Sequence, residues 1–309
     1  MVLRQTLPAS SVTRALSVLG DAWTLLILLN AFRGARRFGE WFGLLGIPRP
    51  VLSDRLARLV RAKILQRVRY QSNPPRFEYQ LTERGLELWY FTLAIWDWEK
   101  RWVRGSAGFA FNLLHQTCDH EVHPIFFCSR CDRRVAAGDV LRRPGPGAGT
   151  MSLPVRRHRR SSLTEDETTR VFGDRWTMLL IYAGLRGVTR YNDMQAELGV
   201  SSHLLSMRLK ELVALGIFER TRYSKKPLRY EYRLTPKGQD MYQLGVFAMY
   251  WGDRWLTPGG PPTHVIHRGC GGRLQPDLRC DHCGNSLRRT TCRFEPEFLP
   301  KEELTVETP

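Results

Sequence analysis

The sequence predicts an α+β chain, mainly α, in which one small domain is used twice. Three observations carry that expectation. Sliding the chain by 153 positions lays residues 20–102 on 173–255 without a gap, and 30 of those 83 positions are identical. Within each copy, apolar residues recur at helical spacing and then give way to two short strand-like runs. A His/Cys pattern follows each copy at nearly the same interval, 152 residues. The length of 309 residues agrees, since about 150 residues per domain suggests two.

Each copy reads the same way from its start. An apolar stretch of helix length, 23–32 or 176–185, comes first. A second short helix follows at 38–45 and 191–198, stopped by Gly46 or Gly199. A third is expected at 50–62 and 202–215, where Leu52, Leu56 and Leu59, like Leu205, Leu209 and Leu212, form a buried stripe. Two strands flank a polar, Pro-bearing turn: 65–70 and 77–81 around SNPP, then 218–223 and 230–234 around SKKP. Thr82 and Thr235 stand where they would cap a fourth helix, which carries Trp89, Trp96, Trp98 and Trp102 in the first copy.

Three helices, a hairpin and a closing helix make a winged helix, and the tight turn before the third helix is helix-turn-helix geometry. The outward residues of the third helix become candidates for reading DNA: Arg49, Ser53, Asp54, Ala57, Arg58 and Arg61, then Ser202, His203, Ser206, Met207, Lys210 and Glu211. Most of these differ between copies, so two half-sites need not share a sequence. The wings are basic, with Arg67, Arg69 and Arg76 in one and Arg220, Arg222, Lys225, Lys226 and Arg229 in the other. Such cations would sit on phosphates or in a minor groove. They could equally be solvated strand faces.

Charge supports an acidic partner. Lys and Arg number 47 against 30 Asp and Glu, a net +17, and 42% hydrophobic residues are enough to build cores. The longest apolar run is far short of the roughly 20 residues needed to cross a bilayer, and the N-terminus lacks the pattern of a secretory signal. The expectation is a cytoplasmic, nucleoid-associated protein with no membrane partner.

At these residues the sequence resembles a known family. GD-x-WT (20–24 and 173–177), Arg36-Arg37-Phe38 or Arg190-Tyr191 leading into the second helix, L-S-x-R-L (52–56 and 205–209) and P-x-R-[FY]-E-Y-x-LT-x-x-G are similar to the HxlR-type winged-helix regulators. The resemblance implies a bacterial or archaeal transcription regulator that binds inverted repeats of double-stranded DNA, normally as a homodimer. It adds Arg36, Arg37, Arg190, Arg55 and Arg208 to the candidate DNA contacts, although Arg55 and Arg208 lie near the buried stripe and could form structural ion pairs. Several members sense aldehydes, quinones or oxidants through a Cys shortly before GD-x-W. Ser10 and Leu163 stand near those positions here, so that switch is not supported.

The cysteines form a second repeated unit. His115-x2-Cys118-x9-Cys128-x2-Cys131 returns as His267-x2-Cys270-x9-Cys280-x2-Cys283. Cys3His ligation suits tetrahedral zinc, and four protein ligands leave no open position for catalysis. The expectation is two structural zinc ions, one per repeat. Redox dithiols, disulfides, or a different fourth ligand such as His120 or Asp119 are the competing readings, and Cys292 is a spare thiol.

The full expectation is tandem winged helix-turn-helix domains, each with a small zinc-ribbon-like module. The segments are a first winged helix at 1–106, a first ribbon at 107–140, and a flexible basic linker at 141–165 carrying the cluster 156–160. A second winged helix at 166–258, a second ribbon at 259–293 and an acidic tail at 294–309 complete it. The function expected is a DNA-binding regulator, a monomeric pseudo-dimer or a homodimer, with a protein-interaction scaffold as the alternative. The sequence shows no G-x-S-x-G, phosphate loop or HExxH, so an enzyme is not expected. A small-molecule effector, held between the domains among fourth-helix tryptophans, is a further expected partner.

Overall fold

The computed structural model describes residues 4–103, 111–154, 167–226 and 228–296. Its first part runs β1 (Arg4–Pro8), α1 (Ser11–Leu19), α2 (Ala22–Phe32), α3 (Phe38–Leu45), α4 (Arg49–Arg61), β2 (Leu65–Gln71), β3 (Arg76–Leu81), α5 (Glu83–Leu86) and α6 (Trp89–Trp102). Strands β4 (Phe111–His115), β5 (His120–Glu121), β6 (Pro124–Cys128), β7 (Arg133–Arg134), β8 (Val140–Pro144) and β9 (Thr150–Pro154) follow. The second part repeats the order with α7 (Glu167–Phe172), α8 (Arg175–Leu185), α9 (Tyr191–Leu198), α10 (Ser202–Ala214), β10 (Phe218–Lys225), β11 (Leu228–Leu234), α11 (Pro236–Gln239) and α12 (Tyr242–Leu256). Strands β12 (Thr263–His267), β13 (Pro276–Cys280) and β14 (Cys292–Pro296) end it.

The winged helices have the expected parts. Asp21 and Asp174 cap α2 and α8, accepting from the backbone N–H of Thr24 and Thr177 at 3.1 and 2.8 Å. Each hairpin is a two-stranded sheet, β2 with β3 and β10 with β11, braced by the residues that lead into the second helix. Thr82 and Thr235 do cap helices, but these are the short turns α5 and α11 that precede the long closing helices.

A helix before each GD-x-WT motif was not expected. Helix α1 packs against α12 of the other copy, so closely that a Cβ on Gly252 would lie 2.4 Å from the Ser11 carbonyl oxygen. In the other direction, Phe172 of α7 meets Trp98 of α6 edge-on at 5.1 Å. The two motifs face each other where Asp21 and Asp174 form an antiparallel bridge. Gly173 is required there, because a Cβ would come 2.5 Å from that of Ala22.

The closing helices complete a reciprocal contact. The Trp98 indole N–H donates to the carbonyl of Lys237, and Trp251 donates to that of Arg84. One turn on, Trp102 donates to Asp240 and Trp255 to Glu87. These partners differ by the repeat interval, so the interface is two-fold in pattern.

The ribbons do not follow the expected plan of one module per copy. Strand β13 pairs with β6, β14 with β4 and β12 with β8, each joining one repeat to the other. The expected linker is corrected as well. Residues of 141–154 form β8 and β9, and β9 pairs with β1 at the N-terminus. The acidic tail is corrected at its start, since β14 reaches Pro296 and carries buried Cys292 opposite His115. The basic cluster 156–160 and the tail from 297 lie outside the described residues.

Candidate nucleic-acid interface and metal clusters

The third helices are positioned by tight left-handed turns. Gly46 has φ 58° and Gly199 φ 57°, a conformation that costs a side chain but not glycine. Trp41 of α3 is fully buried and donates to the Ile27 carbonyl at 3.1 Å, which ties α3 to α2. Leu52, Leu56 and Leu59 then bury one face of α4, and Leu205, Leu209 and Leu212 one face of α10.

The opposite faces are open to solvent. Arg49, Ser53, Ala57, Arg58 and Arg61 are exposed on α4, as are Ser202, His203, Ser206, Met207 and Lys210 on α10. Two cations are held in place: the Arg49 guanidinium lies 4.7 Å over the Phe42 ring, and Arg58 pairs with Asp54 one turn earlier at 2.8 Å. In the second copy the Tyr191 hydroxyl lies 2.8 Å from Ser202 Oγ and 2.9 Å from Ser206 Oγ. Phe38 stands in the equivalent place of the first copy and has no hydroxyl, so Ser53 lacks that partner.

The arginines leading into the second helix are tied to the wings. Arg37 lies 4.6 Å over Tyr70, and Arg190 lies 5.1 Å over Tyr223. Arg36 is exposed, and its backbone carbonyl accepts from Tyr79 of β3 at 2.7 Å. Glu40 accepts from the backbone N–H groups of Arg36 and Arg37, which holds its carboxyl below the usual range. At the wings, Arg76, Lys225, Lys226 and Arg229 are exposed beside a register shift in each hairpin. Arg67 and Arg220 lie instead on the rings of Phe77 and Tyr230.

Two expected DNA contacts are corrected. Arg208 is only 4% exposed and bridges Asp174 and Glu211 at 3.0 and 2.9 Å. Arg55 grips Asp21 at 2.7 Å and also pairs with Asp54. The Arg of L-S-x-R-L therefore ties the recognition helix to the capping Asp of GD-x-WT. A guanidinium held between two carboxylates is not free for phosphate.

All eight expected ligands meet in two clusters, but not as expected. His115 and Cys118 join Cys280 and Cys283, while Cys128 and Cys131 join His267 and Cys270. The arrangement of one site per repeat is thus corrected: each cluster takes one knuckle from each copy. Strand pairing is the reason. Because β6 pairs with β13 and β4 with β14, Cys128 and Cys280 sit at opposite ends of one ladder, and His115 is carried towards the second knuckle of the other copy.

The donor geometry fits tetrahedral zinc. The Cys118 and Cys280 sulfurs are 3.8 Å apart, and His115 Nδ1 lies 3.4 and 3.2 Å from the Cys118 and Cys283 sulfurs. His267 Nδ1 lies 3.2 Å from Cys131 and 3.6 Å from Cys270. Tetrahedral bonds of the usual lengths give edges of about 3.8 Å for S–S and about 3.6 Å for S–N. Burial holds the His115 imidazole below its usual pKa, in the neutral form that ligates. His120 stacks on His282 at 3.4 Å beside Cys118, outside the four-ligand set.

Residues 18–107 and 171–259 each match the HxlR-like helix-turn-helix family. The chain belongs to that family. Every ligand of the metal clusters lies outside both matched stretches, so the clusters are an addition to the HxlR domain. An uncharacterized HTH-type transcriptional regulator of Mycobacterium tuberculosis is 43% identical over 137 residues, 44% of this chain and 87% of its own length. That relative is therefore about half as long as this chain, and its match is longer than either HxlR stretch. A similar regulator of Bacillus subtilis is 33% identical over 89 residues, 28% of this chain and 82% of its own. A solved structure described as a putative transcription factor from Pseudomonas aeruginosa is 27% identical, with 41% of this chain and 86% of that one covered at a TM-score of 0.33.

Sequence reasoning missed a large cavity's polar wall. About 910 Å³ opens between the closing helices and the ribbons, lined by Trp89 and Trp251 and by Arg273, Arg288 and Arg289. The tryptophans were legible as fourth-helix residues. Arg288 and Arg289 precede a strand that pairs across the repeats, Arg273 sits against Asp253 and Tyr250 of its own copy, and no periodicity marks any of them.

Proposed function

We propose that this HxlR-type chain is a sequence-specific DNA-binding transcription regulator that works as a single-chain pseudo-dimer. One observation carries the reading. Two helix-turn-helix units with exposed, cationic third helices and basic wings are joined through a reciprocal interface of closing-helix tryptophans. The relatives named above are transcriptional regulators, which agrees. Covalent linkage presents the second unit at high effective concentration once the first has bound. The α4 and α10 helices would enter successive major grooves about 34 Å apart. Because Ser202, Lys210 and Glu211 stand where the first copy has Arg49, Ala57 and Arg58, the two half-sites would differ in sequence.

The same proposal includes two structural zinc ions, one in each cross-repeat cluster. The ligands would be His115, Cys118, Cys280 and Cys283 for one, and Cys128, Cys131, His267 and Cys270 for the other. Each ion would clip the copies together.

Genomic footprinting followed by gel shift on the recovered sites tests the DNA reading. A bipartite footprint, with binding weakened by salt at a log–log slope of about −0.9 per neutralised phosphate, is expected. Equal affinity for recovered sites and random duplex would overturn it.

A further inference from the structure

We propose that the cavity between the closing helices and the ribbons binds a planar, polycyclic aromatic carboxylate. Its floor is aromatic and comes from both copies: Trp89 and Tyr90 of α6, and Phe247, Tyr250 and Trp251 of α12. The two indole N–H groups are already used, Trp89 on the Leu287 carbonyl at 2.7 Å and Trp251 on that of Arg84 at 2.8 Å. Trp89, Phe247 and Trp251 are themselves almost fully buried, so the surface open to a ligand comes from the half-buried Tyr90 and Tyr250 rings and exposed Leu86, which favours a flat aromatic body.

The charge on the walls selects an anion. The carboxylates that line the cavity are spoken for. Glu83 and Glu87 share Arg254 at 2.9 and 2.8 Å, and Asp253 accepts from the Ser11 hydroxyl and faces Arg273 at 3.5 Å. Arg288 and Arg289 differ. Neither has a carboxylate partner among the described residues. Arg289 donates through Nε to the Phe32 carbonyl and stands 5.4 Å from the Phe294 ring and 6.0 Å from the Trp89 ring, at the cavity wall. Two arginines without carboxylate partners in the wall of an apolar cavity suit a carboxylate, which guanidinium N–H donors hold in pairs. A volume of about 910 Å³ is at the upper end of small-ligand sites, of order 300–1,000 Å³, so two or three fused rings suit it better than one.

Position gives the site a consequence. A ligand there would touch α6 of one copy, α12 of the other and the ribbon segment at 273–276 that leads to a metal knuckle. Occupancy would therefore bear on how the two winged helices are set. Binding in the cavity requires no DNA.

The test titrates the metal-loaded full chain with 2-naphthoate and, separately, with its neutral isostere 2-naphthamide, by calorimetry and tryptophan fluorescence. One site per chain is expected, with the acid at least tenfold tighter than the amide. Arg288→Gln, at an exposed side chain, should remove most of that preference and leave amide binding unchanged. Ser129→Trp, at the exposed rim, should block both compounds, with metal content and circular dichroism reporting an intact fold. Equal affinity for acid and amide, no saturable binding, or an unchanged preference in Arg288→Gln would each overturn the proposal.

Discussion

The winged helices and the metal-bearing strands are duplicated at almost the same interval, yet they assemble in opposite ways. The helix-turn-helix and wing of each copy close within that copy, while only the flanking helices cross: α4 packs on its own α2, each hairpin pairs within its copy, and each L-S-x-R-L arginine reaches the capping Asp of its own GD-x-WT. The ribbon halves keep only short pairings of their own, such as β4 with β5 and β6 with β7. Their three main pairings and both ligand sets cross between copies. The difference follows from size. A winged helix of about 90 residues can bury a core, whereas a ribbon half of about 30 residues cannot, and such small units usually need a metal or a partner. Here the expected partner is the other half.

The most severe test removes all four ligands of the first repeat, as His115→Ala, Cys118→Ala, Cys128→Ala and Cys131→Ala together. Exchanged clusters predict loss of both metal ions from the purified protein. Ligation within each repeat would leave one, and elemental analysis distinguishes the two.

Self-containment of the winged helices is tested by the arginines. Arg208→Ala takes a guanidinium away from buried Asp174, while Glu211 keeps Arg170, and should cost about 3 kcal/mol in urea unfolding. Arg55→Ala acts at a more open site and should cost about 2 kcal/mol. Equal losses would mean that the two copies are not distinguished by burial.

Under the DNA proposal each copy reads its own half-site. Arg49→Ala with Arg58→Ala should weaken one half of the operator, and His203→Ala with Lys210→Ala the other, each by about 1–3 kcal/mol per lost base contact. Footprints that shrink at both halves for either variant would break the assignment. The smallest effect is expected for Tyr191→Phe, which frees Ser202 and Ser206 and should change affinity for the second half-site by about 0.5–1 kcal/mol.

Much of the fold was legible because it is local. Helical stripes such as Leu52, Leu56 and Leu59, the glycine at each helix-turn-helix corner and the Pro-bearing wing turn are set by neighbours a few residues apart. Helix α1 was not read, although Ser10 caps it, because nothing in the repeat requires it. Arg55 and Arg208 stand beside the buried stripe on spacing alone, which leaves an ion pair and a phosphate contact equally open. Only the approach of α2 to α4, and of α8 to α10, turned them towards Asp21 and Asp174.

The sequence by itself determined that one domain occurs twice, which residues can ligate metal, and which faces of the third helices are polar. Those properties reside in residue type and period. Which knuckle joins which, and where the ribbon arginines end up, was decided by tertiary structure alone. Duplication makes both copies chemically equivalent as partners, so the ligand pattern scores the same paired within a copy or across copies. Strand pairing across the two-fold contact of the closing helices breaks that tie.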